Sequence, residues 1–304
     1  MEMNDLQARI EQLKKETNAV ILAHYYVRDE VQQVADYIGD SFYLSKLATD
    51  IEADTIVFCG VSFMGESAKI LNPRKRVLMP DASADCPMAH MADIKRINQL
   101  REEYEDLAVV CYINSTAELK CCSDVCVTSS NALKIVRTLP NENILFIPDE
   151  NLGRYIAGQV PEKNFIFNDG FCHVHAGLSA DGVKAVKSAH PRAKFLAHPE
   201  CKPDILALAD FIGSTSEIID FAGRDEAGEY IIGTELGVLY ELRAKCPDKK
   251  FYPAGDSLRC QDMKTITLEK IVHVMETGEN EVHVSDALRS QANTPLTRML
   301  QLAH

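Results

Sequence analysis

The chain has 304 residues, 46% hydrophobic and 25% charged, with no biased tract, the balance of a globular protein long enough to build more than one core. A formal charge of −13, from 45 acidic against 32 basic side chains, with no stretch gathering five or more lysines and arginines, argues against nucleic acid and anionic membrane as partners. No apolar span reaches 18 residues and the N-terminus, MEMNDLQARIEQLKKE, is not a basic region followed by an apolar one, so a cytoplasmic protein with no membrane association is expected.

In chain order, residues 4–16 carry Leu6, Ile10 and Leu13 on one helical face and predict an amphipathic helix. The run AVILAHYY predicts an apolar strand that turns polar at His24, Tyr25 and Tyr26. A helix over 31–38 follows, then a turn at Gly39, Asp40 and Ser41, a second helix from about Tyr43, the strand TIVFCG, the helix MGESAKIL and the strand RVLMPD, after which Cys86 appears. The same grammar returns with LAVVCYIN as strand, TAELKCCS and VTSSNALKIVRTL as helices, and ILFIPD and NFIFND as strands. Gly170 then turns the chain ahead of Cys172. A third round runs AKFLAHPE, PDILALAD, GSTSEIIDFAGR, EYIIGTELG, LGVLYELRAK and KFYPAGD, and ends at Cys260. Beyond Met263 come the helix TLEKIVHVMETG and the tail DALRSQANTPLTRMLQLA, expected to close against the N-terminal helix.

The rounds share one period. Cys86, Cys172 and Cys260 stand 86 and 88 positions apart, and the aspartates before them, Asp81, Asp169 and Asp256, stand 88 and 87 apart. First strands, at Val20, Val109 and Lys194, step by 89 and 85; middle strands, at Ile56, Ile144 and Ile231, by 88 and 87. Strands alternating with helices imply parallel sheets, so the fold class is α/β: three small three-layer αβα repeats around a pseudo-threefold axis. The expected boundaries are 1–104 for the N-terminal helix and first repeat, 105–190 for the second, and 191–304 for the third with the C-terminal helices.

Functional groups in such units collect at the carboxyl ends of the strands, where the three cysteines lie. Ten cysteines without a signal peptide point to reduced thiols and a metal or redox centre; the plainer alternative is small buried apolar residues. Three thiolates from three units hold a metal centre with one position open, and a cubane iron–sulfur cluster so held keeps one iron free as a Lewis acid. The alternative is three unrelated cysteines after strands. Cys121, Cys122 and Cys126 lack the C-x2-C steps of ferredoxins and zinc knuckles. Cys59, Cys111 and Cys246 sit in apolar or helical contexts that read as core, and Cys201 is expected to line the cavity without binding metal.

These residues resemble quinolinate synthase, the iron–sulfur family of NAD biosynthesis. The resemblance covers nearly the whole chain and is carried by ILAHYY, DSFYLSK, FCGVSFMGESAKIL, DASADCPMA, YINSTAELK, CVTSSNA, IPDENLG, GFCHVH, AHPEC, GSTSEI, GTELG and CQDMKTITLEKI. It implies an enzyme of three pseudo-symmetric units that condenses iminoaspartate with dihydroxyacetone phosphate to quinolinate, phosphate and water. It also implies one [4Fe–4S] cluster per chain on Cys86, Cys172 and Cys260, the cysteines the period selects, and a functional link to the enzyme supplying iminoaspartate.

The implied site comprises Tyr26, His24 and Glu200 as acid–base groups. Ser41, Tyr112, Asn114, Ser129, His175, His198, Ser214 and Thr215 join His24 and Glu200 around the substrate. Each serine is equally readable as a helix cap, and His175 as a support of the cluster. Two departures from the family pattern stand out: CQDMKT offers Cys260 alone where some members have three cysteines, and Tyr25 replaces a common asparagine. Other readings are a different iron–sulfur hydro-lyase, a cluster sensor, which would need a DNA-binding module, and a structural zinc protein.

Overall fold

A computed structural model describes residues 3–303. Among them, twelve strands form three four-stranded sheets in which every pair is parallel. The first sheet holds β1 (Ala19–His24), β2 (Tyr37–Gly39), β3 (Thr55–Cys59) and β4 (Arg76–Leu78). The second holds β5 (Leu107–Tyr112), β6 (Val125–Val127), β7 (Asn143–Ile147) and β8 (Asn164–Phe167), and the third β9 (Lys194–Ala197), β10 (Phe211–Ile212), β11 (Glu229–Gly233) and β12 (Lys250–Pro253). Their orders are β2-β1-β3-β4, β6-β5-β7-β8 and β10-β9-β11-β12, one topology used three times. The two inner strands of each sheet are continuous apolar runs, such as VILA, IVF and VVC, because helices cover both faces.

Each sheet has one strand more than the sequence pattern predicts. The short β2, β6 and β10 lie in stretches that read as helix or loop. The helix expected over 31–38 is confined to Asp29–Val34, and Ile38 belongs to β2. The one expected over VTSSNALKIVRTL splits into β6 and the helix Ala132–Thr138, with Asn131 Oδ1 accepting the Thr128 N–H in the turn between them. An aspartate starts each extra strand. Asp36, Asp124 and Asp210 accept the backbone N–H of Ile21, Val109 and Phe195, each at 2.7 Å, and so draw the chain alongside the neighbouring inner strand. Lysines repeat likewise: Lys75, Lys163 and Lys249 each donate to two backbone carbonyls, in the last case those of Ala222 and Asp225.

One apolar core underlies the first two sheets. It takes in Leu6, Ile10 and Leu13 of the N-terminal helix Met3–Thr17 together with Ile271, Leu296 and Met299 from the C-terminal helices. The third sheet has its own clusters, one around Phe195, Ala197, Ile205 and Ile231 and another around Leu196, Ile218, Tyr230 and Ile232. Helix Leu268–Thr277 packs against the N-terminal helix, whereas Asp286–Leu302 packs against helix Ala117–Cys121 and β6. No helix among the described residues is long and apolar enough to cross a membrane.

Candidate active site

The last strand of each sheet, β4, β8 and β12, leads within a few residues to one cysteine of the periodic set. Cys86, Cys172 and Cys260 each stand at the N-cap of a one-turn helix, Pro87–His90, His173–Ala176 and Gln261–Lys264. All three thiols line a single cavity. Burial is the first cause that pushes the thiols up: Cys86 to about 12, with the charge of Cys260 adding to it, Cys260, beside Glu235, to about 11, and Cys172, beside Glu200 and Cys86, well above its ordinary value. Three soft donors whose ionisation is opposed by burial and by neighbouring negative charge form a set that a cationic centre completes. That donor chemistry fits an iron–sulfur cluster.

The first strand of each sheet supplies a second triplet. His24 ends β1 with Tyr26 two residues on, Tyr112 ends β5 with Asn114 two residues on, and His198 and Glu200 follow β9 in the same spacing. All six line the cavity. In the first and third units the imidazole Nδ1 accepts the backbone N–H two residues later, His24 from Tyr26 at 3.2 Å and His198 from Glu200 at 3.3 Å. Each neutral ring therefore carries its proton on Nε2. Burial holds both histidines down, to about 3, so neither charges at neutral pH.

Glu200 is buried and joins the three units. Its Oε1 accepts the Tyr112 hydroxyl at 2.5 Å, and its Oε2 lies 2.7 Å from His175 Nδ1. A carboxylate only accepts, so both neighbours donate. Burial pushes the Glu200 carboxyl up, but the His175 imidazole and the hydrogen bonds from His175 and Tyr112 outweigh it and hold the group below the usual carboxylate range. From His175 Nε2 the network continues at 3.0 Å to Thr234 Oγ1, at 2.9 Å to Tyr26 Oη, and at 2.6 Å to Thr215 Oγ1. Burial, with Glu200 nearby, raises Tyr26 well above its ordinary value, so it keeps its proton.

The hydroxyl candidates divide. Ser41 and Thr215 are the first residues of helices Ser41–Asp50 and Thr215–Arg224, one position past the caps Asp40 and Ser214, and both line the cavity. Ser129 also lines it and accepts from His198 Nε2 at 3.2 Å. Ser214 does not line the cavity: it forms a capping box with Glu217 and is fully buried. Asn114 Oδ1 is buried without a hydrogen-bond partner and Asn114 lines the cavity, an acceptor left for a bound molecule.

The remaining cysteines lie elsewhere. Cys121 Sγ donates to Leu288 O, Cys111 and Cys126 face one another across β5 and β6, and Cys201 packs under Gly233 without lining the cavity. The periodic aspartates are not at the thiols. Asp81 pairs with Lys270 at 2.5 Å, and Asp169 and Asp256 are exposed. The acids that reach the thiol loops are Asp85, Asp149 and Glu235, and sequence reasoning missed them along with Thr234. The signal for two of them is an acidic residue just past a middle strand, in IPDE and GTEL.

Comparison with known proteins identifies the family. A family model described as quinolinate synthetase A protein matches residues 8–301. A quinolinate synthase of Fusobacterium nucleatum is 54% identical over 298 residues, covering 98% of this chain and 99% of the relative. One of Caldicellulosiruptor saccharolyticus is 48% identical over 303 residues and covers all of both, and one of Clostridioides difficile is 48% identical over 299 residues, covering 98% of each. With its threefold sheet topology and near-complete match, the chain belongs to the quinolinate synthase A family.

Proposed function

We propose that this cavity condenses iminoaspartate with dihydroxyacetone phosphate to quinolinate, phosphate and two waters, the family's activity in NAD biosynthesis. The observation that carries the reading is the convergence, on one cavity, of three thiols and six polar side chains from matching positions of three sheets. Cys86, Cys172 and Cys260 would hold one [4Fe–4S] cluster; when bound, it supplies an iron without a protein ligand as a Lewis acid toward a substrate oxygen.

The chain's own residues divide the rest. No lysine or arginine lines the cavity among the described residues, so the phosphate and carboxylates are held by Ser41, Ser129 and Thr215 together with unpaired helix-start N–H groups. The orphan Asn114 Oδ1 accepts a donor of the substrate, and the imine N–H of iminoaspartate supplies one. Glu200, ionised and fixed by Tyr112 and His175, takes the proton lost in carbon–carbon bond formation and tautomerisation. Tyr26, protonated, donates to a departing hydroxyl, and His24 presents a neutral Nε2–H to developing negative charge. The proposed reaction needs a second enzyme to supply iminoaspartate, and the reading has both in the cytoplasm.

A second reading rests on one observation: donor atoms of Cys172, His175 and Glu200 lie within 4.8 Å of one another, a set that suits a single divalent ion. The two readings separate on serine substitutions of Cys86, Cys172 and Cys260, each reconstituted anaerobically and assayed for iron, sulfide and quinolinate. Loss of the cluster and of product in all three, with retention in Cys121→Ala, is expected. Retention of metal in Cys86→Ser and Cys260→Ser, with loss only in Cys172→Ser, would assign the single-ion site instead.

A further inference from the structure

The backbone N–H of each periodic cysteine is held by a carboxyl group. Cys172 N–H donates to Asp149 Oδ2 at 3.1 Å, Cys260 N–H to Glu235 Oε1 at 3.1 Å, and Cys86 N–H to Asp85 Oδ1 at 2.8 Å. Asp149 and Glu235 occupy equivalent positions, each the N-cap of the helix that follows the middle strand of its sheet. Both are buried, and both use their two oxygens on different segments: Asp149 Oδ1 takes the Leu152 N–H at 2.7 Å, and Glu235 Oε2 takes the Gly237 N–H at 2.6 Å. The matching cap in the first unit is Val61, which has no side-chain acceptor. There the bridge is rebuilt from the other side. Asp85, just before the cysteine, binds the hydroxyl of Ser62, the first residue of helix Ser62–Leu71, and His90 Nε2 at 2.6 Å.

We propose that Asp149, Glu235 and Asp85 are positioning residues that clamp the three cysteine backbones to rigid helix starts, so that the thiols face one another before iron arrives. The inference rests on the reading of these cysteines as cluster ligands. Three loops from three sheets must be ordered together to hold one cluster, and a loop ordered in advance removes that cost from the binding step. The same device built from non-equivalent residues in the first unit marks the cysteine amide as the thing being held, because a helix cap alone would not require Asp85.

Asp149→Ser separates clamp from cap. A serine still caps helix Glu150–Gln159 but is too short to reach the Cys172 N–H as well. In Glu235→Gln, one of the two oxygens becomes an NH2 group, so either the Cys260 or the Gly237 N–H faces a donor, and Lys264, 3.1 Å from Glu235 Oε1, loses its charge partner. Both variants, loaded anaerobically, are expected to release iron to a chelator about tenfold faster than the parent, the scale of outer-shell changes at metal sites, with little change in melting temperature. In the iron-free chain, hydrogen exchange at the Cys172 amide should quicken in Asp149→Ser and at the Cys260 amide in Glu235→Gln. Parental iron release and exchange in both variants would overturn the clamp. If Asp149→Ser does not fold, Glu235→Gln carries the test. If the parent binds no cluster on these cysteines, the ligand reading fails, while amide exchange still reports on the clamp.

Discussion

The hydroxyl of Tyr112 and the carboxylate of Glu200, 88 residues apart in the chain, meet at 2.5 Å in the buried seam between the second and third sheets. The contact ties the end of one first strand to the end of another and commits one oxygen of the proposed base. Glu200→Gln keeps the shape, but one half of its amide now meets a donor. Turnover is expected to fall by about a hundredfold or more, the usual range for loss of a general base, with affinity for quinolinate retained. Steady-state rates with equilibrium binding of the product check this. Normal turnover would remove Glu200 from proton transfer.

The two buried histidines set a pH dependence of stability. His24 and His198 are held down to about 3 by burial, whereas an unfolded histidine titrates near 6.5. Between those values the unfolded chain binds more protons than the folded one. Their contribution is thus fully present above about pH 7 and is lost as pH falls toward 3, on the order of a few kcal/mol per histidine. Urea unfolding of the iron-free chain at several pH values should show that slope, and His198→Gln should flatten it. An equal slope in the variant would assign the acid sensitivity to other groups.

The neighbours Ser214 and Thr215 should behave in opposite ways. Ser214→Ala removes the hydroxyl of a fully buried capping box and should cost about 1 kcal/mol of stability, with product affinity unchanged. Thr215→Val removes a cavity hydroxyl that touches Tyr26, and Ser129→Ala one that touches His198. Each should weaken product binding by roughly tenfold while melting hardly shifts. Paired melting and titration measurements decide, and a stability loss in step with affinity for Thr215→Val would mark it as structural.

Much of this arrangement was legible in the sequence, and what was not has physical causes. The long inner strands showed as apolar runs, and the cysteines showed because one spacing recurs. The strands β2, β6 and β10, of two or three residues, are too short to display alternation, and their boundaries are set by Asp36, Asp124 and Asp210 bonding amides 15 residues earlier. The period drew attention to Asp81, Asp169 and Asp256, which share the spacing but face away from the thiols. Asp149, Glu235 and Thr234 meet partners 23 to 208 residues away, contacts that local pattern does not encode. Ser214 and Thr215 differ by one position, and only the cap geometry shows which residue lines the cavity.

The cavity lacks lysine and arginine among the described residues, in a chain whose formal charge is −13. The two multiply charged substrates proposed above would therefore approach against the protein's net charge, with no lysine or arginine on the cavity wall to draw them in. Dissolved salt screens that repulsion, so encounter is expected to quicken with ionic strength where a lysine-lined site would slow. The same feature governs departure: a product anchored by hydroxyls and backbone dipoles leaves without separating a buried pair of full charges.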